Sequence, residues 1–123
     1  MNINENTARI KSKKFAVRII NLYKILTEQK KEYVLSKQVL RSGTSIGANL
    51  AEADYGISKK DFLAKVFIAL KECSETLYWL DLLFETKYIG EKEFYSINND
   101  ALELLKMLIA TAKTTKNSLM NSE

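Results

Sequence analysis

Apolar residues that recur at alternating three- and four-residue intervals restrict the fold of this chain most. The clearest run comprises Val66, Leu70, Cys73, Leu77, Leu80 and Phe84. This spacing returns side chains to one side of an α-helix at every turn, and it predicts a helix over residues 59–86. Further apolar residues outside that run indicate burial on more than one side: Leu63, Phe67, Tyr78, Trp79, Leu82 and Leu83.

Three other segments carry the same kind of pattern and predict helices over residues 5–29, 35–55 and 91–117. Their apolar runs are Ala8, Phe15, Ile19, Leu22 and Leu26; Val39, Gly43, Ile46, Leu50 and Ala53; and Phe94, Ile97, Ala101, Leu104, Leu108 and Ala112. The chain has no proline and four glycines, which argues against an all-β fold with its many turns. We therefore predict one all-α domain over residues 1–123, a four-helix up-and-down antiparallel bundle with short links.

The predicted helix ends have recognisable residues. Ser36 is a candidate N-cap of the second helix, and Gly56 suits that helix's C-terminal end. Ser58 followed by Asp61 resembles a capping box that opens the third helix. The polar tail after Lys116 is expected to fray.

The absence of histidine removes most of the familiar catalytic and metal-binding constellations. A Ser-His-Asp triad and imidazole metal ligands are excluded. The single cysteine, Cys73, lies in the apolar run and is interpreted as a core residue rather than a nucleophile. Carboxylates occur in near pairs (Glu72 and Glu75, Glu91 and Glu93, Asp100 and Glu103), and a carboxylate-only magnesium or calcium site is the alternative they leave open. We expect no enzymatic activity, no cofactor and no metal.

Positive charge is concentrated in the first quarter of the sequence. Residues 1–31 hold eight basic and two acidic side chains, whereas the other 92 residues hold eleven basic and thirteen acidic ones. Lys11, Lys14 and Arg18 are spaced by three and four, so they form one stripe along the first helix, here called the basic stripe. Such a stripe attracts phosphate-rich partners or an anionic membrane surface, and it predicts nucleic-acid binding. The alternative is an ordinary solvated helix face.

Residues 41–53 combine small and polar side chains on one predicted helix. Arg41, Ser45, Asn49 and Glu52 are spaced by four, four and three; we call them the polar stripe. Gly43 and Gly47 cost about 1 kcal/mol each relative to alanine inside a helix, and close approach of a neighbouring helix can offset that cost. The polar stripe is interpreted as fixing packing or an interface rather than performing chemistry. A break at Gly43 with a cap at Ser45 is the alternative, and the continuing apolar run argues against it.

This segment also carries a resemblance to a known family. Together with Asp61-Phe62-Leu63 and residues 68–76, it resembles the 23S rRNA intervening sequence proteins, whose pattern Ser-x-x-x-Asn-x-x-Glu is matched by Ser45, Asn49 and Glu52. The similarity spans about residues 8–117. It departs from the family at residues 30–34, where the proline usual between the first two helices is absent.

The resemblance implies properties that spacing does not show. Members are small bacterial four-helix bundles without enzymatic activity, and some are encoded inside intervening sequences of large-subunit ribosomal RNA genes. The family is similar to the accessory protein of diversity-generating retroelements, a barrel-shaped homopentamer that binds nucleic acid and a reverse transcriptase. The resemblance therefore implies a homo-oligomer, with a pentamer as the leading expectation.

Two functions follow as expectations. The first is a non-enzymatic oligomer that binds RNA or DNA without sequence specificity through the basic stripe. The second is a scaffold that recruits a partner enzyme and has no direct nucleic-acid role. The polar N-terminus does not resemble a secretory signal, and no apolar run approaches the ~20 residues of a membrane span, so a cytoplasmic location is expected.

Overall fold

Four helices account for nearly all of the chain. A computed structural model describes residues 3–121, with side chains from residue 7 onward. The helices are α1 (Ile3–Glu28), α2 (Leu35–Ala53), α3 (Lys59–Glu85) and α4 (Glu91–Asn121). Each packs against its sequence neighbours, and α1 also packs against α4, which closes the bundle. The predicted all-α four-helix fold is confirmed. None of the described helices has a stretch that is both long and apolar enough to span a membrane.

Two predicted helix boundaries need correction. The second helix ends at Ala53, before the predicted residue 55, and the fourth continues to Asn121, beyond the predicted residue 117. The last turns of α4 are held by tertiary contacts: Thr115 is buried, and Lys59 Nζ donates to Ser118 Oγ at 2.7 Å. The helix therefore continues past Lys116, where the sequence predicted a tail that frays, as far as Asn121.

The start of α2 differs from the sequence-based expectation. Ser36 lies inside the helix, so its assignment as the N-cap is wrong. The buried carboxylate of Glu32 instead accepts hydrogen bonds from the backbone N–H groups of Val34, Leu35 and Ser36, at 3.2, 3.0 and 2.7 Å. At α3, by contrast, Ser58 is the N-cap and its Oγ accepts from the Asp61 N–H at 3.1 Å.

The link between α1 and α2 turns without a proline. Lys31 has a φ of 57°, the left-handed conformation that commonly ends a helix. The N–H groups of Lys30 and Glu32 donate back to the carbonyls of Ile25 and Leu26 at 3.2 and 2.9 Å. The Lys30 bond shares the Ile25 carbonyl with the Gln29 N–H, and the Glu32 bond pairs the Leu26 carbonyl. Together they bring Glu32 beneath the first turn of α2.

The core follows the predicted apolar runs of α1, α2 and α4. On α3 the predicted run is only half right, because Leu70, Leu77 and Phe84 are partly exposed and Ala69, Thr76 and Leu83 are buried instead. Phe67 and Tyr78, which were expected to be buried on a second side of α3, are exposed. Phe15, Ile19, Ile46, Leu80 and Leu104 are among the largest fully buried side chains, and each lies on one of those runs. The runs meet along the bundle axis, as the helical spacing requires. Burial of these faces supplies most of the driving force for folding.

The small residues of α2 let α1 approach closely. A Cβ atom at Gly43 would lie 2.7 Å from Cγ1 and 2.8 Å from Cγ2 of Ile19. A Cβ atom at Gly47 would lie 3.2 Å from Ser12 Oγ. Since real Cβ atoms do not tolerate the first pair of distances, the glycine at position 43 is required by the position of α1.

Candidate nucleic-acid interface

The basic stripe lies along the edge of α1 that faces α4. Lys11 Nζ forms a salt bridge with Glu103 Oε1. Arg18 Nη1 lies 2.6 Å from Asp100 Oδ2, and Arg18 Nη2 donates to Ser96 Oγ at 3.1 Å. Two of the three predicted phosphate-binding side chains are therefore engaged by the neighbouring helix of the same chain.

Lys14 lies between these two ion pairs on the helix. It lines a cleft of about 220 Å³ together with Lys11, Asp100 and Glu103, with Phe15 and Leu104 among the other lining residues. Among the side chains of residues 7–121, no carboxylate forms a salt bridge with Lys14. Lys14 is exposed and is the cation of the stripe that remains available without a rearrangement.

The basic stripe and the two carboxylates that pair with it contain three positive and two negative charges. The paired side chains retain 37–54% of their exposure. Exposed ion pairs of this kind contribute roughly 0–1 kcal/mol each, since water and salt screen them. The field at the stripe is therefore much weaker than the sequence suggests, but the pairs are weak enough for phosphate oxygens to replace the carboxylates.

Asp100 and Glu103 are the residues of this site whose role the sequence did not indicate. Their three-residue spacing marks a carboxylate pair on α4, but the sequence alone does not show which cations face it. These ion pairs depend on the adjacency of the first and last helices. In a closed antiparallel bundle these helices lie side by side, and that places the α4 carboxylates opposite the α1 cations.

The polar stripe of α2 faces α3. Arg41 forms salt bridges with Glu72, at 3.2 Å, and with Glu75. At the other end of the stripe, Glu52 lies 3.3 Å from Lys65 Nζ. Between them, Ser45 Oγ donates to the Arg41 carbonyl at 2.6 Å, and Asn49 Nδ2 donates to the Ser45 carbonyl at 2.8 Å.

These contacts make the polar stripe a link between α2 and α3. The two charged residues bind side chains of α3, and the two uncharged ones bind the backbone of their own helix. Glu72 and Glu75, considered in the sequence as metal ligands or ion-pair partners, are occupied by Arg41.

Cys73 lies in the core with no exposed surface. Its thiol donates to the Ala101 carbonyl at 3.3 Å, and burial raises the pKa of Cys73 to about 12. A thiol in this setting stays protonated and does not act as a nucleophile at neutral pH. Within the described residues, no three Asp, Glu or Cys side chains lie together in a way that suits a metal ion.

Fold and site together define the class of protein. It is a small all-helical protein with one four-helix bundle, and the polar groups along its helix edges form ion pairs between helices. The sequence profile of the family described as 23S rRNA-intervening sequence protein matches residues 4–110. The chain belongs to this family, which confirms the resemblance carried by Ser45, Asn49 and Glu52.

A solved structure supports the same assignment. The chain is similar to a protein of unknown function from the S23 ribosomal protein family of Bacteroides thetaiotaomicron VPI-5482, with 54% sequence identity and a TM-score of 0.89. The match covers 90% of this chain and 99% of that protein. Among curated proteins, no significant match exists.

Proposed function

We propose that this protein is a non-enzymatic, self-associating four-helix bundle that binds nucleic acid by charge and shape. Lys11, Lys14 and Arg18 on α1 contact the phosphate backbone, without sequence readout. The observation that carries the proposal is their alignment on one exposed helix edge, with Lys14 unengaged by the described carboxylates. We place the protein in the cytoplasm, where nucleic acids occur.

The absence of an enzymatic role is part of this proposal. Cys73, the strongest candidate nucleophile by residue type, is buried and has a raised pKa. The near-paired carboxylates Glu72 and Glu75 bind Arg41, and Asp100 and Glu103 bind α1. These side chains serve as ion-pair partners, which is a structural use of groups that catalysis would need free.

Self-association is supported by apolar and small residues on the outer surface. Tyr95, Leu102 and Ile109 of α4 are spaced by seven, and each is more than one-third exposed. Between α1 and α2, an outer groove of about 380 Å³ is lined by small residues, including Gly47 and Ala48. Exposed faces of this kind are typical of association surfaces. The family resemblance makes a homopentamer the specific proposal, which would repeat the basic stripe five times and add avidity.

Sedimentation equilibrium tests the assembly. The expected mass is five times the chain mass of 14.1 kDa. Ala48→Lys places a long charged side chain in the outer groove and is expected to lower the mass, while Ala64→Lys, at an exposed alanine of α3 outside both proposed association surfaces, is its matched control. A monomeric wild-type protein at micromolar concentration would exclude the oligomer.

Fluorescence anisotropy tests nucleic-acid binding. Labelled structured RNA and duplex DNA are titrated across a salt series with protein freed of co-purified nucleic acid. The test variant is Lys11→Gln/Lys14→Gln/Arg18→Gln, because glutamate at positions 11 and 18 would face Glu103 and Asp100 and strain the bundle. We expect binding that weakens with salt, at about −0.9 in log–log slope per phosphate contact on duplex DNA, and its loss in the variant.

The matched control neutralises three exposed lysines of other helices. Lys60→Gln/Lys71→Gln/Lys113→Gln removes the same charge from α3 and α4. It is expected to retain most of the wild-type affinity. Equal losses in both triple variants would show that net charge, and not the basic stripe, determines binding.

The scaffold function remains the second candidate because of the exposed apolar line on α4. Tyr95, Leu102 and Ile109 offer a partner helix three exposed apolar side chains at seven-residue spacing. This function predicts no nucleic-acid binding at low salt, together with a stable complex with a reverse transcriptase or another partner enzyme. Leu102→Lys would abolish that complex, whereas the triple glutamine variant would still form it.

A further inference from the structure

We propose that Asp100 and Glu103 of α4 compete with nucleic acid for the basic stripe and so select which anions bind there. The proposal rests on the function proposed above. It starts from the pairing of Glu103 with Lys11 and of Asp100 with Arg18. These two carboxylates occupy the end positions of the stripe and leave the central Lys14 to the solvent.

The carboxylates occupy the same donors that a phosphate would use. Arg18 directs Nη1 to Asp100 at 2.6 Å and Nη2 to Ser96 at 3.1 Å, so two of its five N–H donors are engaged. A guanidinium binds phosphate through these same nitrogens. A phosphate group that approaches Arg18 therefore meets the negative charge of Asp100 and competes with it for the guanidinium.

The helices do not need these ion pairs in order to stay together. Under the seam between α1 and α4 lie the buried side chains of Phe15, Leu22, Ile97 and Leu104. The charged groups above them retain 37–54% of their exposure and border open clefts. Both pairs can therefore open by side-chain rotation while the apolar seam remains closed.

The distance between the two ion pairs determines which anions can displace both carboxylates. Lys11 and Arg18 are seven residues apart, about 10 Å along the helix axis. An isolated phosphate or a mononucleotide can replace only one carboxylate at a time. A nucleic-acid strand offers phosphates at several positions along that length, and it can replace both. The competition therefore favours a polyphosphate backbone over small anions.

The experiment compares two variants that remove the same charge. Asp100→Asn/Glu103→Gln frees the basic stripe, and Glu72→Gln/Glu75→Gln removes the partners of Arg41 on the α2–α3 edge. Anisotropy titrations with labelled duplex DNA and structured RNA are made at fixed salt, with inorganic phosphate as a competitor. We expect the stripe-freeing variant to bind about three- to tenfold more tightly than wild type, and the control within about twofold of it.

Inorganic phosphate should also compete better against the stripe-freeing variant than against wild type. An equal gain in both double variants, or no gain in Asp100→Asn/Glu103→Gln, overturns the competition and leaves nucleic-acid binding standing. Absence of binding by wild type and by that variant at low salt overturns the proposed function itself. Circular dichroism checks the fold of each variant. If the double variant does not fold, the single variants Asp100→Asn and Glu103→Gln replace it. Each single variant is expected to give part of the gain in affinity.

Discussion

The two sides of α1 are joined to the bundle in different ways. On the α2 side, Arg9 forms an ion pair with Asp54 at the end of α2, but along the helix Gly43 admits the side chain of Ile19 and the surfaces fit by shape. On the α4 side, Lys11 and Arg18 reach exposed carboxylates, and the outer contact is made by charge. A shape-based contact depends on each methyl group, whereas an exposed charge-based contact depends on salt and can exchange partners. The first suits a fixed framework and the second suits a surface that binds other anions.

The largest expected effect is on the shape-based side. Gly43→Val would place a branched side chain where a Cβ atom alone lies 2.7 Å from Ile19 Cγ1. Because Ile19 is fully buried and cannot move aside, we expect a loss of about 3 kcal/mol in the free energy of unfolding. Urea denaturation followed by circular dichroism measures it.

Gly47→Ala is the matched control on the same helix. Its Cβ atom would meet Ser12 Oγ at 3.2 Å, and a serine hydroxyl can shift by a few tenths of an ångström. The gain in helix propensity offsets the crowding, so we expect a change within about 0.5 kcal/mol. Equal destabilisation by Gly43→Val and Gly47→Ala would contradict the assignment of the close contact to Ile19.

An intermediate effect is expected where α1 connects to α2. Glu32→Gln replaces a carboxylate that accepts three backbone N–H bonds with an amide that has one acceptor oxygen. We expect a loss of about 2 kcal/mol in the free energy of unfolding at neutral pH. Denaturation curves of both proteins between pH 7 and pH 3 measure the difference.

The pH dependence identifies the charged form of Glu32 as the stabilising one. Burial by itself would raise the pKa of Glu32, but the N–H groups of Leu35, Ser36 and Val34 outweigh it, and the pKa lies below its ordinary value of 4.5. A lowered pKa in the folded state means that this stabilisation is present above pH 4.5 and is lost as the pH falls through the folded-state pKa. The gap between wild type and Glu32→Gln should close in that range. A gap that stays constant down to pH 3 would point to packing instead.

The smallest expected effect is on the charge-based side. Asp100→Asn/Glu103→Gln removes both ion pairs between α1 and α4, and we expect a loss of no more than about 1 kcal/mol in the free energy of unfolding, after solvent screening is taken into account. Thermal denaturation at low and high sodium chloride checks it. Salt should reduce the difference between variant and wild type, and a difference of several kcal/mol that salt does not alter would show that the pairs are structural.

The sequence predicted the fold because the apolar spacing is repeated in every helix. Four runs with helical periodicity and no proline leave few arrangements other than a bundle. Helix ends were predicted less well, because they depend on contacts between distant residues. Glu32 caps α2 from outside the helix, and α4 continues to Asn121, where Lys59 of α3 contacts Ser118.

The candidate site was predicted only in part. The three-four spacing placed Lys11, Lys14 and Arg18 on one edge of α1, and that local geometry follows from helical periodicity alone. The net charge of that edge does not follow from periodicity, because the carboxylates that pair with it, Asp100 and Glu103, are more than 80 residues away in the sequence. Whether nucleic acid binds there stays a prediction.

The sequence by itself determined the four helices, the buried side of α1, α2 and α4, and the family to which the chain belongs, because periodicity and motif residues are local properties. On α3 it indicated only half of the buried residues. The tertiary structure decided the partners: Ile19 for Gly43, Glu72 and Glu75 for Arg41, and Asp100 for Arg18. A partner depends on which helices become neighbours and at what height they pack. That choice is made by the burial of all four apolar faces together, and no single segment of the sequence encodes it.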